Sequence, residues 1–325
     1  MSPEPSERPP VVVVTGPTAA GKSALALRLA ERFDGEIVNA DSMQVYRYLD
    51  IGTAKPSAAD RARVPHHLLD VVLPNVPYSA GRYTSEARAA AARVHARGRT
   101  VFLTGGTGLY IRAFLEGLLR GGGADPELRQ RLEAEHAAAQ RQDDPTRLHR
   151  RLAALDPAAA ARIHPHDLRR LVRALELVER SGRPASVQQG EHGFGDRPYR
   201  VLHLALDPGV EELDRRIDRR CAGMIDAGLL REVRELRARG FGAELRPMQA
   251  IGYRHMQPVI EGTETLRNVL EQMKRDTRQF ARRQRTWFRA VKDAVWVHPD
   301  DVAAIEALVA EFLEAADAQP VVGVV

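Results

Sequence analysis

The sequence predicts an α/β protein: a parallel sheet flanked by helices, interrupted by an all-helical insertion. Three observations carry this. Residues 11–15, VVVVT, form an apolar β-branched run without alternation, the pattern of a strand buried on both faces. Strand and helix patterns alternate up to residue 104 and resume at 199, the order that gives right-handed crossovers between parallel strands. Between them, residues 124–194 are rich in Ala, Arg, Leu and His, with helical periodicity and no strand signal.

Taken in order, the first strand enters a glycine-rich turn and a helix from about Lys22 to Arg32. EIVNADS (36–42) reads as a second strand ending at Asn39–Asp41, and DVVLP (70–74) as a short third. A helix over about Ser79–Arg97 leads into the strand VFLT (101–104). Glycines 121–123 and the run ADP then form a joint, with Asp125–Pro126 starting a helix. A second joint lies at 183–198, and YRVLHLALD (199–207) restores the strand texture. One helix over Glu211–Arg239, a loop, a long helix over about Glu264–Lys292, the strand AVWV and a last helix complete the chain. The expected division is a core of 1–123 and 195–325 with an insertion of 124–194.

With 325 residues the chain exceeds one ordinary domain, and 44% hydrophobic residues suffice for a core. Aromatics are only 5%, so Leu, Val and Ala do most of the packing. The single cysteine, Cys221, excludes a disulfide framework and a cysteine zinc site and fits a reducing compartment. MSPEPSERPP does not read as a secretory leader, and no apolar run approaches the ~20 residues of a membrane span. The expectation is a cytoplasmic protein with no membrane contact. The net charge of +5 points to a polyanionic partner where the charge is concentrated.

Gly16, Gly21, Lys22 and Ser23 satisfy G-x-x-x-x-G-K-[ST] between a strand and a helix, which makes the fold P-loop-type. In the loop Gly16, Pro17, Thr18, Ala19, Ala20, Gly21, glycine lets the backbone turn so that successive N–H groups, Pro17 contributing none, converge on one anion. The helix N-terminus adds positive potential, Lys22 a mobile charge, and Ser23 a ligand for Mg²⁺. The ligand is a di- or triphosphate. ATPases with this loop carry an Asp at the end of another strand, whereas the strand at 100–104 ends in Thr104-Gly105-Gly106-Thr107. That argues against a motor ATPase and leaves a small kinase open. At the second strand end, Asp41 is placed to accept a proton, and Ser42 and Gln44 to orient a planar group. A helix or turn cap is the competing role for Asp41-Ser42.

GPTAAGKS, DSMQVYRYLDIGTAKP, PHHLLD, GGTGLY, RALELVERSGRP, QAIGYRH and RRQRTWFR occur in one order from about Val11 to Trp296. This resembles the tRNA dimethylallyltransferases, also called tRNA isopentenyltransferases. The resemblance implies transfer of a dimethylallyl group from dimethylallyl diphosphate to the exocyclic N6 amine of the adenine 3′-adjacent to the anticodon. The diphosphate would sit on Gly16–Ser23, with Mg²⁺ on Ser23. Asp41 falls on the family's general base, and Thr18 and Thr107 on positions facing the reacting groups. Aligning on Met224 places the family's diphosphate-contacting arginine at Arg220, with Arg216 as competitor. Asp41, Ser42, Met43, Gln44 and Thr107 fall on tRNA-contacting positions, as do Arg169, Arg170, Leu171, Val172 and Arg173 in the insertion. The family usually has Asn where His166 stands.

Residues 271–292 hold eight basic and two acidic residues, a local charge of +6. At 100° per residue, Arg275, Arg278, Arg282, Arg285 and Arg289 share one stripe, and Met273, Phe280, Trp287 and Val291 the opposite one. The expectation is an aromatic face on the core and an arginine face on a phosphate backbone, with Arg278, Arg282 and Arg285 in contact with tRNA. Phe194 and Tyr199 have either a base-stacking or a core role. Adjacent His66 and His67 diverge and have no third ligand nearby, so no zinc site is expected. The reading is therefore a monomeric prenyl transferase acting on the anticodon stem-loop of tRNA. Its rivals are a nucleoside or small-molecule kinase using ATP and a non-catalytic RNA-binding module.

Overall fold

The computed structural model describes residues 8–118, 123–192 and 195–317. Gly121, Gly122 and Phe194 lie outside them. The chain forms two compact units, Met1–Leu115 with Arg197–Val325, and Glu116–Asp196.

The first unit is built on a six-stranded parallel sheet in the order β3-β2-β4-β1-β5-β6. The strands are β1 (Pro10–Thr15), β2 (Gly35–Asn39), β3 (His66–His67), β4 (Thr100–Thr104), β5 (Arg200–Leu206) and β6 (Ala294–Val297). Val11, Val12, Val13 and Val14 are fully buried, as the unalternating run requires of a central parallel strand. Around the sheet lie α1 (Lys22–Arg32), α2 (Ala58–Arg63), α3 (Ala80–His95) and α4 (Gly108–Glu116). The third strand is not at 70–74. It pairs His66 and His67 with Ile37 and Val38, while Val72 makes only an isolated bridge to Tyr46.

Glu116–Asp196 is an all-helical unit among its described residues. It holds α5 (Pro126–Arg141), α6 (Arg147–Leu155), α7 (Pro157–Ala160), α8 (Leu168–Ser181) and α9 (Ala185–His192). Leu128, Leu132, Leu148, Leu152, Leu171 and Leu175 form its own core. The Asp125 side chain caps α5 by accepting from the Leu128 N–H at 3.0 Å. Burial alone would raise the fully buried Glu176 carboxyl, but hydrogen bonds from Arg129, the Asp125 N–H and Arg173 pull it down to about 2. The unit starts before the expected residue 124 because Gly117 already lies against Asp196, whose carboxylate is 2.6 Å from where a Cβ would stand. The chain thus enters and leaves the unit side by side.

After β5 come α10 (Val210–Asp226), α11 (Leu229–Ala238), α12 (Tyr253–Ile260), α13 (Leu266–Arg289) and, after β6, α14 (Val302–Asp317). The expected single helix over Glu211–Arg239 is two helices. Gly228, at φ +98°, breaks it in a conformation that only glycine adopts readily. Tyr199 stacks on Phe114 with ring centroids 4.7 Å apart, a packing role rather than a free stacking face. No helix among the described residues is long and apolar enough to cross a membrane.

Candidate active site

The turn between β1 and α1 lines a cleft at the carboxyl ends of the strands. Thr18, Lys22 and Ser23 from that turn line it together with Asn39, Asp41 and Gln44. Gly105 and Gly106 after β4 and Arg220 from α10 also line it. Lys22 Nζ donates to the Pro17 carbonyl at 2.7 Å. Burial, and then the Arg220 charge, push the Lys22 ammonium down to about 7, against the opposing pull of Asp41. Burial also lowers the Arg220 guanidinium, which Asp41 partly restores. Two cations and one carboxylate therefore share a space that holds no further fixed anion.

Asp41 sits where β2 has ended. Its Oδ1 accepts from the Met43 N–H at 2.8 Å and the Gln44 N–H at 3.4 Å, so the carboxylate does cap a turn while still lining the cleft. The Thr107 hydroxyl accepts from the Ser42 N–H at 3.0 Å and ties the β4–α4 turn to the Asp41 loop. Ser42 and Thr107 flank the cleft rather than line it, and Met43 packs against the core. Gln44 is buried, and its Nε2 donates to the Thr53 and Ala54 carbonyls at 3.1 and 3.2 Å.

Ala20 is fully buried, whereas Ala19, Gly21, Lys22 and Ser23 also line an outer groove with Arg216, Arg219 and Arg220. Arg220 belongs to both cleft and groove. Arg216 reaches only the groove and is ion-paired with Glu212 at 2.7 Å and Asp300 at 3.4 Å. That geometry favours Arg220 as the cleft's arginine.

Sequence reasoning missed Gln284 on α13. Its Oε1 accepts from the Thr18 N–H at 2.8 Å, and its Nε2 donates to the Gly106 carbonyl at 2.9 Å. Gly106 has no side chain because a Cβ there would stand 2.3 Å from that nitrogen. The available signal was a polar residue in register with buried Ala281 and Phe288.

The face assignment of α13 needs correcting. Its buried stripe is Val269, Met273, Thr277, Ala281, Gln284 and Phe288, while Phe280 and Trp287 are exposed at 38% and 40%. Small and polar residues fill the inner stripe where α13 crosses α10 and the glycine turns. The arginine stripe is also not uniform. Arg278 pairs with Asp218 at 2.5 Å and Asp214 at 3.7 Å, and Arg285 with Asp207 at 2.7 Å. Arg275, Arg282 and Arg289 are exposed.

The model of the IPP transferase family matches residues 44–291. The chain belongs to that family. Among IPP transferases it is 49% identical over 305 residues to tRNA dimethylallyltransferase 1 of Citrifermentans bemidjiense, covering 93% of this chain and 97% of the relative. It is 50% identical over 291 residues to the tRNA dimethylallyltransferase of Geobacter metallireducens, covering 90% and 93%. A crystal structure of the full-length tRNA isopentenylpyrophosphate transferase from Bacillus halodurans is similar with TM-score 0.69 and 35% identity, over 96% of this chain and 98% of that one. A eukaryotic dimethylallyltransferase acting on tRNA is similar with TM-score 0.80 and 28% identity, over 97% and 81%. This IPP transferase is a prenyl-transferring enzyme of P-loop-type fold, and the matches give the kinase alternative no support.

In the insertion of this IPP transferase, Arg169 and Arg170 are exposed on α8, and Arg173 is ion-paired with Glu176. Leu171 and Val172 are buried in the helical core, so their side chains face the unit's interior rather than a ligand. His166 is exposed beside the His164 ring, with centroids 5.4 Å apart.

Proposed function

We propose that the enzyme transfers the dimethylallyl group of dimethylallyl diphosphate to the exocyclic N6 amine of the adenine 3′-adjacent to the anticodon in tRNA, releasing diphosphate. The observation that carries this is the meeting of Lys22, Arg220 and Asp41 in one cleft. A prenyl transfer breaks a carbon–oxygen bond and leaves one further negative charge on the departing diphosphate. Lys22, Arg220 and the N–H groups of Gly21, Lys22 and Ser23 at the start of α1 are placed to stabilise that charge. The new carbon–nitrogen bond leaves a proton on the amine, and Asp41 is the carboxylate to take it. Thr107 holds the Asp41 loop, and Gln44 lies beside it to meet the adenine edge.

Ser23 is the residue that would hold Mg²⁺. Ser23 lines both cleft and groove, and no cluster of three His, Cys, Asp or Glu among the described residues could hold a metal by itself. One protein hydroxyl plus substrate phosphates is a donor set that suits Mg²⁺. When bound, the ion neutralises leaving-group charge. Exposed Arg282, Arg169 and Arg170 supply phosphate contacts to the tRNA, which must present a splayed base. A tRNA acceptor supports a cytoplasmic location, and the presence of every named group on one chain supports a monomer.

The test is transfer of label from dimethylallyl diphosphate to unmodified tRNA with Mg²⁺, beside labelled ATP. Phosphate transfer from ATP without prenylation would overturn the proposal.

Lys22 gives a pH signature. Its free-state value of about 7 means it is charged below pH 7 and largely neutral above it. Diphosphate favours the charged form, so binding above pH 7 takes a proton from solvent. Affinity should fall with rising pH above 7, by at most tenfold per unit. Calorimetry at pH 8 in buffers of different ionisation enthalpy should show proton uptake, absent in Lys22→Met.

The stripe on α13 divides by ion pairing. Arg282→Gln should weaken tRNA binding and flatten its log–log salt dependence by roughly one unit or less. Arg285→Gln leaves half-buried Asp207 without its partner, and should cost about 1–3 kcal/mol in denaturant unfolding. Equal effects of both on the salt slope would return Arg285 to the RNA face.

A further inference from the structure

A second carboxylate, itself outside the cleft lining, is bonded to a loop whose Thr53 and Ala54 line the cleft. Glu232 on α11 meets the loop 50–54 end-on. Its Oε2 accepts from the Asp50 N–H at 3.2 Å and the Ile51 N–H at 2.8 Å, and its Oε1 from the Gly52 N–H at 3.3 Å. The Tyr253 hydroxyl donates to the same Oε1 at 2.6 Å. Three successive backbone N–H groups around one carboxylate form an anion nest, a geometry that only an acceptor can satisfy.

The held loop has a specific output. It turns at Ala54, φ +48°, and presents the Thr53 and Ala54 carbonyls inward. Both accept from Gln44 Nε2. An amide has one donor end and one acceptor end. With Nε2 committed to two carbonyls, Gln44 turns its Oε1 to its remaining side. Arg220 also reaches the Thr53 carbonyl, but at 3.5 Å, the limit of a hydrogen bond. The Gln44 contacts are shorter and paired, so the loop governs Gln44 more firmly than Arg220.

We infer that Glu232 is a positioning residue for prenyl transfer: it fixes the loop 50–54 and thereby the end of the Gln44 amide that meets the acceptor base. This rests on the proposed acceptor. A base carrying an exocyclic amine is a donor at that position, and Asp41 with Gln44 Oε1 offers it two acceptors. A freed loop lets the amide flip and present a donor to a donor.

The test is a double-mutant cycle on the full chain, with kcat and KM for tRNA and for dimethylallyl diphosphate. Glu232→Gln keeps the shape but places an NH₂ group among donors. It should lower kcat/KM for tRNA about tenfold or more, the weight of one misplaced buried hydrogen bond, and leave KM for the diphosphate within about threefold. Gln44→Leu should lower kcat/KM for tRNA similarly. The combined variant should be little worse than either, because both act through one amide. Multiplying losses, or a loss carried by the diphosphate KM, would overturn the inference. Should Glu232→Gln not fold, Tyr253→Phe removes one of the four bonds and should give a smaller loss with the same non-additivity against Gln44→Leu. Full additivity there would overturn it equally. A wild-type enzyme that does not prenylate tRNA at all would instead refute the proposed function, so the two failures are separable.

Discussion

Asp41→Asn should lower single-turnover prenylation by about two to four orders of magnitude, with diphosphate affinity nearly unchanged. Asn is the informative substitution because of what Asp41 does in the fold. Its Oδ1 accepts from the Met43 N–H at 2.8 Å, and an amide oxygen keeps that cap. What Asn cannot do is accept a proton from an amine as the carbon–nitrogen bond forms. Rapid mixing of enzyme, tRNA and labelled donor reads the chemical step directly. A near-wild-type rate would remove Asp41 from the chemistry and leave it as a cap.

Replacement of residues 117–196 by a short Gly/Ser linker should abolish nearly all prenylation while sparing diphosphate binding. Every residue that lines the cleft lies in the first unit, and the helical unit has a core of its own. Gly117 and Asp196 are neighbours, so a short linker closes the gap, and closure entropy grows slowly with length. What is lost is the basic face with Arg169 and Arg170, and with it the hold on an RNA whose target base must leave its stack. Calorimetry with the diphosphate substrate and filter binding with tRNA would separate the two functions. A truncated protein that binds tRNA as the full chain does would refute the clamp role. Failure to fold would show that the helical unit stabilises the core.

The features legible in the sequence were local in the chain. The position of the loop Gly16–Ser23 was legible because its pattern depends on spacing within eight residues, and the structure does put Thr18, Lys22 and Ser23 on the cleft. The position of Asp41 at the cleft was legible because it follows a strand end beside that loop. The errors came from contacts between distant segments. The pairing of His66 with Ile37 defines β3, and nothing within DVVLP reveals that the sheet passes it by. The α13 wheel put Phe280 and Trp287 inside because aromatic side chains dominate a hydrophobic projection. The stripe that packs is instead set by Thr277 and Gln284, whose partners are Cys221, Thr18 and Gly106. The neutralising partners of Arg278 and Arg285, Asp218 and Asp207, are 60 and 78 residues away, beyond any helical-wheel argument. Gly228 was visible, but a glycine within a continuing apolar period costs only about 1 kcal/mol in a helix and does not announce a break.

Gln284 spends both ends of one amide on two different loops, the phosphate-binding turn at Thr18 and the strand-end turn at Gly106. The helix that carries it also carries the exposed arginines, so on the proposed reading nucleic acid seated on α13 and diphosphate seated beside Thr18 would bear on the same side chain. The two substrates should then be energetically linked. Linkage of that kind is symmetric: whatever factor tRNA imposes on affinity for the diphosphate, the diphosphate imposes on affinity for tRNA.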